Sequence, residues 1–249
     1  MSSDPRRAAT ILVLRPTPTG DDVEVLLVRR GHRASFMANA YVFPGGRVDP
    51  ADAEPTPDQA TRRCAARELM EEASLRVDDP ATLVYFARWV TPSQEPKRFD
   101  TDFFLWALPP DQQPQVDAQE VFDLRWLSPS AAIAAYENDG LNLPPPTVST
   151  LEDLRAEVAA QRATDGDPTT LLMRVLAAAR RRQPLTLLPR ACVSQSGGFQ
   201  IVLPWDPDFA TIPGEGDPAP CMALGAADVA HRICRCTLEP PGVWRATRL

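Results

Sequence analysis

Lysine is all but missing from this chain. Lys97 is the only one, and arginine supplies the rest of the 26 basic residues. A net charge of -7 excludes a broad basic face of the kind nucleic-acid binders rely on, while leaving room for a local basic pocket. Long apolar runs are missing too. None could span a bilayer, and Ile11–Leu14, followed at once by Arg15, is too short for the core of a signal peptide. These absences predict no membrane partner, no nucleic-acid partner and a cytoplasmic location. A disulfide framework is absent as well. Cys64, Cys192, Cys221, Cys234 and Cys236 make an odd number without framework spacing, which fits reduced thiols. His231-x-x-Cys234-x-Cys236 has no standard zinc spacing. Alternation along a strand explains it more simply, with zinc as the alternative.

Proline is abundant, 27 residues in 249, and implies many fixed loops and turns. The length suffices for one elaborated domain or two small ones with a proper core.

The informative stretch is Arg67–Leu75, Arg-Glu-Leu-Met-Glu-Glu-Ala-Ser-Leu. Glu68, Glu71 and Glu72 stand at i, i+3 and i+4, which on a helix sets three carboxylates side by side. Such repulsion calls for a positive partner. A hard divalent cation with oxygen ligands, Mg²⁺ or Mn²⁺, suits them best, and a solvated acidic face is the alternative. Leu69 points elsewhere and can anchor the helix. Arg67, one turn before Glu71, can pair with it or hold a backbone carbonyl. Upstream, Tyr41–Asp49 reads as a strand ending in a tight turn at Gly45-Gly46, where a backbone carbonyl can approach a cation or phosphate.

Strand, Gly-Gly loop and Arg-Glu-x-x-Glu-Glu helix together resemble the Nudix box, G-x5-E-x7-R-E-U-x-E-E-x-G-U with U aliphatic. Gly46, Arg67, Glu68, Leu69, Glu71, Glu72 and Leu75 match it. Three positions depart from it. Asp52 stands where the first glutamate belongs, extra residues run through Ala53–Gln59, and Ser74 replaces a glycine that usually ends the helix in a left-handed conformation. The resemblance implies a metal held by the Gly46 carbonyl with Glu68, Glu71 and Glu72.

Taken in order, Thr10–Leu14 and Val23–Arg30 read as strands, and Thr56-Pro57-Asp58 starts the glutamate helix. Ala81–Val90, Thr101–Leu108 and Glu120–Leu127 are further strands. Ser128-Pro129 opens a helix to about Tyr136. Helices inserted singly among strands predict an α/β fold, an α/β/α sandwich with a mixed β-sheet, in agreement with the Nudix fold. Beyond Asn138 comes a stiff connector, Leu143–Pro146. Two helices follow, Thr150–Arg162 and Pro168–Arg182, and then β-like runs at Leu185–Val193, Phe199–Leu203, Ala230–Leu238 and Val243–Thr247. We expect a Nudix domain over 8–138 and a helical and β extension over 139–249 packed on it, with an independent second domain as the alternative.

Leu26–Arg30, Phe36–Gly46, Thr91-Pro92 and Arg98–Phe104 are similar to the peroxisomal-type coenzyme A and acyl-coenzyme A diphosphatases of that family. The resemblance implies a nucleoside diphosphate derivative as substrate, coenzyme A above all, and allows a homodimer. Arginine forks suit its phosphates, which singles out Arg29, Arg30, Arg33 and Arg98 beside Gly45 and Gly46. Phe36, Met37 and Tyr41 are candidates for stacking, with core packing as the plainer account. Phe103, Phe104, Trp106 and Trp126 are expected in the core. Arg67, Glu68, Glu71 and Glu72 form the expected catalytic group in metal-assisted hydrolysis. A trio member or the more distant Glu120 would act as base. The alternatives are cleavage of ADP-ribose, nucleotide sugars, dinucleoside polyphosphates or RNA caps, or a non-catalytic ligand sensor.

Overall fold

The computed structural model of the protein describes residues 4–31, 37, 39–116, 121–162, 168–184, 186–194, 197–218, 232–240 and 242–248. Arg33, Phe36, Glu120, Cys221 and His231, all singled out above, lie outside them.

Strand β1 (Arg6–Pro16) is the spine. Ala9, Ile11 and Val13 are buried on one face, and Leu12 and Leu14 on the other. Burial on both faces is why this strand reads as a continuous apolar run rather than an alternating one. One edge of β1 serves two partners. Strand β2 (Val23–Arg30) runs antiparallel to its C-terminal end, and β4 (Gly45–Arg47), reached through β3 (Tyr41–Val42), runs antiparallel to its N-terminal end. The other edge carries the parallel β6 (Phe99–Ala107) and, outside it, the antiparallel β5 (Val84–Val90). Strand β7 (Val121–Leu127) pairs with β2. The sheet is therefore mixed, as expected.

One face is covered by α1 (Pro57–Ala73), which buries Cys64, Ala65, Leu69 and Ala73 against Ile11, Val13, Leu26 and Phe104. Thr56 caps the helix by accepting from the Gln59 amide, and Pro57 takes the first position, where its missing N–H costs nothing. At the other end Ser74 adopts the left-handed conformation, φ 54° and ψ 30°, without a glycine's freedom.

The opposite face is covered by α2 (Pro129–Glu137), α3 (Pro145–Gln161) and α4 (Pro168–Arg180). Ile133, Leu151, Leu154, Val175 and Leu176 share one core with Leu12, Leu14 and Leu27. The architecture is the α/β/α sandwich. Helix α3 starts five residues before the predicted Thr150. Pro145 and Pro146 are its first turn rather than a connector, because proline is pre-set for that position.

The predicted run Leu185–Val193 divides. Strand β8 (Thr186–Leu187) joins the main sheet beside β5, and β9 (Arg190–Val193) opens a second, four-stranded sheet. Pro189, with fixed φ and no N–H, falls at the break. The second sheet continues antiparallel through β10 (Phe199–Val202), β11 (Ile233–Glu239) and β12 (Val243–Arg248). Cys234 and Cys236 are buried on β11 two residues apart, as strand alternation requires. Helix α3 has buried carboxylates facing this side. Glu152 pairs with Arg248 and Asp153 with Arg232, while Glu157 pairs with Arg182 beyond α4. Removing one partner of such a buried pair leaves an uncompensated charge, so the Glu152 and Asp153 pairs tie the second sheet to α3. No helix among the described residues is long and apolar enough to cross a membrane.

Candidate active site

The glycine turn and α1 meet with no room to spare. A Cβ on Gly46 would stand 2.5 Å from Glu68 Oε2, and one on Gly45 would stand 2.6 Å from Thr10 Cα. At Gly45 the space is taken by β1 itself, and at Gly46 by the tip of the Glu68 side chain. Thr10 Oγ1 donates to the Pro44 carbonyl at 2.6 Å and steadies the turn. Glu72 is buried, and its Oε2 accepts from the Gly45 N–H at 3.0 Å.

Arg67 organises the rest. Its Nε and Nη2 grip the two oxygens of Asp52 at 3.0 and 2.8 Å, and Nη1 donates to Glu68 and Glu71, each at 2.9 Å. Nη2 also reaches the Arg47 carbonyl at 3.2 Å, so both roles predicted for Arg67 are occupied at once. Asp52 is buried in a short 3-10 turn, Pro50–Asp52. Burial alone would raise its carboxyl, but hydrogen bonds from Arg67 and the Asp49 amide outweigh that and hold it below the usual carboxylate range. The substituted, shorter acid thus tethers Arg67. Burial, with Asp52 and Glu68 nearby, pushes the Cys64 thiol up to about 12, which leaves it an unreactive packing group.

The three glutamates do not converge as expected. Glu68 and Glu72 line a cavity of about 520 Å³ together with Gly45 and Gly46, and Glu71 does not. Its side chain is 57 % exposed on Arg67. The helical period explains the split: Glu72 lies about 40° from Glu68 toward the apolar stripe, and Glu71 about 60° the other way. Among the described residues, no three His, Cys, Asp or Glu side chains are grouped as a metal cage. The residues present still fit a hard cation of the magnesium type. Such an ion commonly takes one or two carboxylates and completes its shell with water and substrate phosphate. Glu68 and Glu72 supply two hard oxygen donors in a cavity open to a substrate. The Gly46 carbonyl has the Cys64 thiol 3.6 Å away.

A model of the NUDIX domain matches residues 4–145. The chain belongs to the Nudix family. A curated relative from Caenorhabditis elegans, "Putative nudix hydrolase 7", is 30% identical over 62% of this chain and 62% of its own length. Acyl-coenzyme A diphosphatase NUDT19 of Xenopus laevis is 23% identical over 50% of this chain and 58% of its own. The chain therefore spans about three-fifths of these relatives. A crystal structure of a NUDIX hydrolase from Alicyclobacillus acidocaldarius superposes with a TM-score of 0.55 at 26% identity, covering 61% of this chain and 92% of that one.

Around the Nudix helix, the predicted phosphate-binding arginines separate. Arg30 lines the cavity, while Arg29 is exposed and does not, since neighbouring strand residues point to opposite faces. Arg98 is a structural residue, contrary to expectation. It is buried, with Nε on the Thr91 carbonyl at 3.1 Å and Nη2 on Glu215 at 2.9 Å. Met37 lines the cavity, whereas Tyr41 is core and donates to Asp123 at 2.5 Å. Phe103 is both core and cavity wall.

Sequence reading missed Arg6, Arg47 and Glu95, which also line the cavity with Lys97. Arg47 follows the glycine pair directly and could have been read from that position. Arg6 and Glu95 carry no motif. Burial raises the Glu95 carboxyl above its ordinary value, which suits a group that takes up a proton.

Proposed function

We propose that this Nudix protein hydrolyses the diphosphate of coenzyme A or acyl-coenzyme A, giving a phosphopantetheine and adenosine 3′,5′-bisphosphate. The observation that carries the reading is one cavity holding Glu68 and Glu72 against the Gly45–Gly46 turn, rimmed by Arg6, Arg30, Arg47 and Lys97. The same cavity is lined by four carboxylates, Asp49, Glu68, Glu72 and Glu95, and by those four cations, a mixture that suits phosphates bound beside a divalent ion. Kinship with the frog diphosphatase, named for acyl-coenzyme A, supports the substrate.

Glu68 and Glu72, with the Gly46 carbonyl as a further donor, would hold Mg²⁺ (or Mn²⁺), which when bound neutralises charge on the diphosphate and makes a water more acidic. The chain's own residues set the geometry. The Gly45 amide fixes the Glu72 carboxylate, and Arg67 holds Glu68 while Asp52 holds Arg67. The cavity arginines orient the phosphates so that water can add to one phosphorus in line while the bridging P–O bond breaks. Glu95, a partly buried carboxyl in the same cavity, is placed among the candidates for taking the water's proton. Catalysis of this kind is mainly positioning and electrostatic stabilisation.

The test is a panel of coenzyme A, acyl-coenzyme A, ADP-ribose, a nucleotide sugar, a dinucleoside polyphosphate and capped RNA, each with Mg²⁺ and with chelator. The reading expects metal-dependent cleavage of the first two. Cleavage of ADP-ribose with coenzyme A left intact would transfer the site to another substrate. Binding without turnover across the panel would make it a sensor.

A further inference from the structure

The cavity is larger than the hydrolytic chemistry needs, and part of its wall comes from far along the chain. Phe199, Ile201 and Trp244 line it together with Glu68 and Glu72. Ile201 and Trp244 belong to the core on the face of the main sheet opposite α1, and Phe199 packs against that core. The cavity therefore runs from the Nudix helix round to the other side of the sheet.

That distant wall is held in place. The rings of Phe199 and Trp244 meet edge-on, with centroids 6.3 Å apart. Asn142 accepts from the Trp244 amide at 3.1 Å and donates to the Gly242 carbonyl at 3.0 Å. Its own carbonyl accepts from the Tyr41 amide at 2.9 Å. One asparagine thus locks the β11–β12 hairpin to the strand that leads into the glycine turn.

The chemistry of this wall is the reverse of a phosphate site. A helix start facing a cavity usually offers amide N–H groups to an anion. Here the N-cap and the first two positions of α3 are Pro144, Pro145 and Pro146, which have no N–H to offer, and all three line the cavity. Proline, Phe199, Ile201 and Trp244 can surround methylene groups. They offer little to the edge of a base or to a phosphate oxygen.

We propose that the second sheet and the start of α3 seat the substrate's uncharged arm, the pantetheine with its acyl chain, while the phosphates lie at the glutamate and arginine part of the cavity. This rests on the coenzyme A reading above and assigns the C-terminal extension the choice of arm.

The experiment compares the full-length protein with Phe199→Glu, Phe199→Leu and Pro189→Glu. Steady-state kcat and KM are measured for coenzyme A and for short- and long-chain acyl-coenzyme A. Binding of adenosine 3′,5′-bisphosphate, which lacks the arm, is measured by calorimetry. Phe199→Glu should raise KM for long-chain acyl-coenzyme A about tenfold or more, an order set by charging an apolar subsite. Its affinity for the armless nucleotide should stay within about twofold, and Phe199→Leu, which stays apolar but gives up the ring contact with Trp244, should raise that KM less than Phe199→Glu does. Pro189 also lines the cavity, so Pro189→Glu reads the same change if Phe199→Glu does not fold. An active parent whose KM for acyl-coenzyme A is unmoved in the folded variants overturns the subsite alone, as does an equal loss for the armless nucleotide. A parent that leaves coenzyme A and its thioesters intact overturns the substrate reading and the subsite with it.

Discussion

Gly46 and Glu68 compete for the same space. The position a side chain would take on Gly46 lies 2.5 Å from Glu68 Oε2, so the glycine exists to let that carboxylate approach the turn. The atoms in the way are the tip of a flexible side chain, whereas at Gly45 they are the backbone of β1. Gly46→Ala should therefore keep its melting temperature and lose about a hundredfold in turnover, the scale of an ångström's misplacement at a reacting centre. Gly45→Ala should lose stability first. A fully active Gly46→Ala enzyme would show that Glu68 need not sit there.

The two adjacent glutamates should behave differently. Glu72 is buried in the cavity, and Glu71 stands outside it on Arg67. Glu72→Gln keeps an acceptor for the Gly45 amide and removes the charge, so turnover should fall about a thousandfold with the fold intact. Glu71→Gln should cost roughly tenfold or less, acting only through Arg67. A thermal shift on adding Mg²⁺ should vanish in Glu72→Gln and persist in Glu71→Gln. Equal behaviour of the two would contradict this division.

Asp52 makes the site sensitive to acid. Its carboxyl is held below the ordinary range in the folded protein, so it adds stability above the unfolded value of about 4, and loses it as pH falls through the lower folded value. Melting curves from about pH 6 down to pH 3 should show Asp52→Asn less stable than the parent at the upper end. The gap should narrow as pH drops. A constant gap would mean the charge of Asp52 is not what binds Arg67.

What could be read beforehand was local. Strand alternation, the Thr56 cap, the Ser128 cap and the glutamate spacing each depend on neighbours within a few residues, and the structure has them as expected. The split of the glutamate trio was also local in principle, since Ala65 and Leu69 mark the apolar stripe and put Glu71 on its far side. It was missed because spacing was read without direction. The burial of Arg98 depends on Glu215, and the cavity wall on Phe199 and Trp244. Those partners are separated by a hundred residues or more and leave no periodic trace.

Ser74 is a place where the chain carries strain. It ends α1 at φ 54°, a conformation that costs a residue with a Cβ about 1 kcal/mol more than glycine. Ser74→Gly should raise the melting temperature by roughly 2–4 °C in a chain of this size and leave kcat alone. An unchanged or lower melting temperature would mean the serine hydroxyl compensates, or that the extra freedom of glycine in the unfolded chain does.

Arg30 and Arg29, neighbours on β2, should respond differently to the proposed substrate. Arg30 lines the cavity, and its Nε is buried without an acceptor among the described residues. Arg29, on the other face of β2, is exposed to solvent. A buried guanidinium donor lacking an acceptor is costly unless a ligand supplies one, and the ribose phosphate of coenzyme A is such a ligand. Arg30→Ala should lower kcat/KM for coenzyme A about 10- to 100-fold, the worth of a hydrogen bond to a charged group, and for dephospho-coenzyme A less than about threefold. Arg30→Lys should recover part of the loss, because an ammonium keeps the charge but not the planar fork. Arg29→Ala should change neither substrate. Equal losses on both substrates in Arg30→Ala would move Arg30 from the ribose phosphate to the diphosphate bridge that the two share.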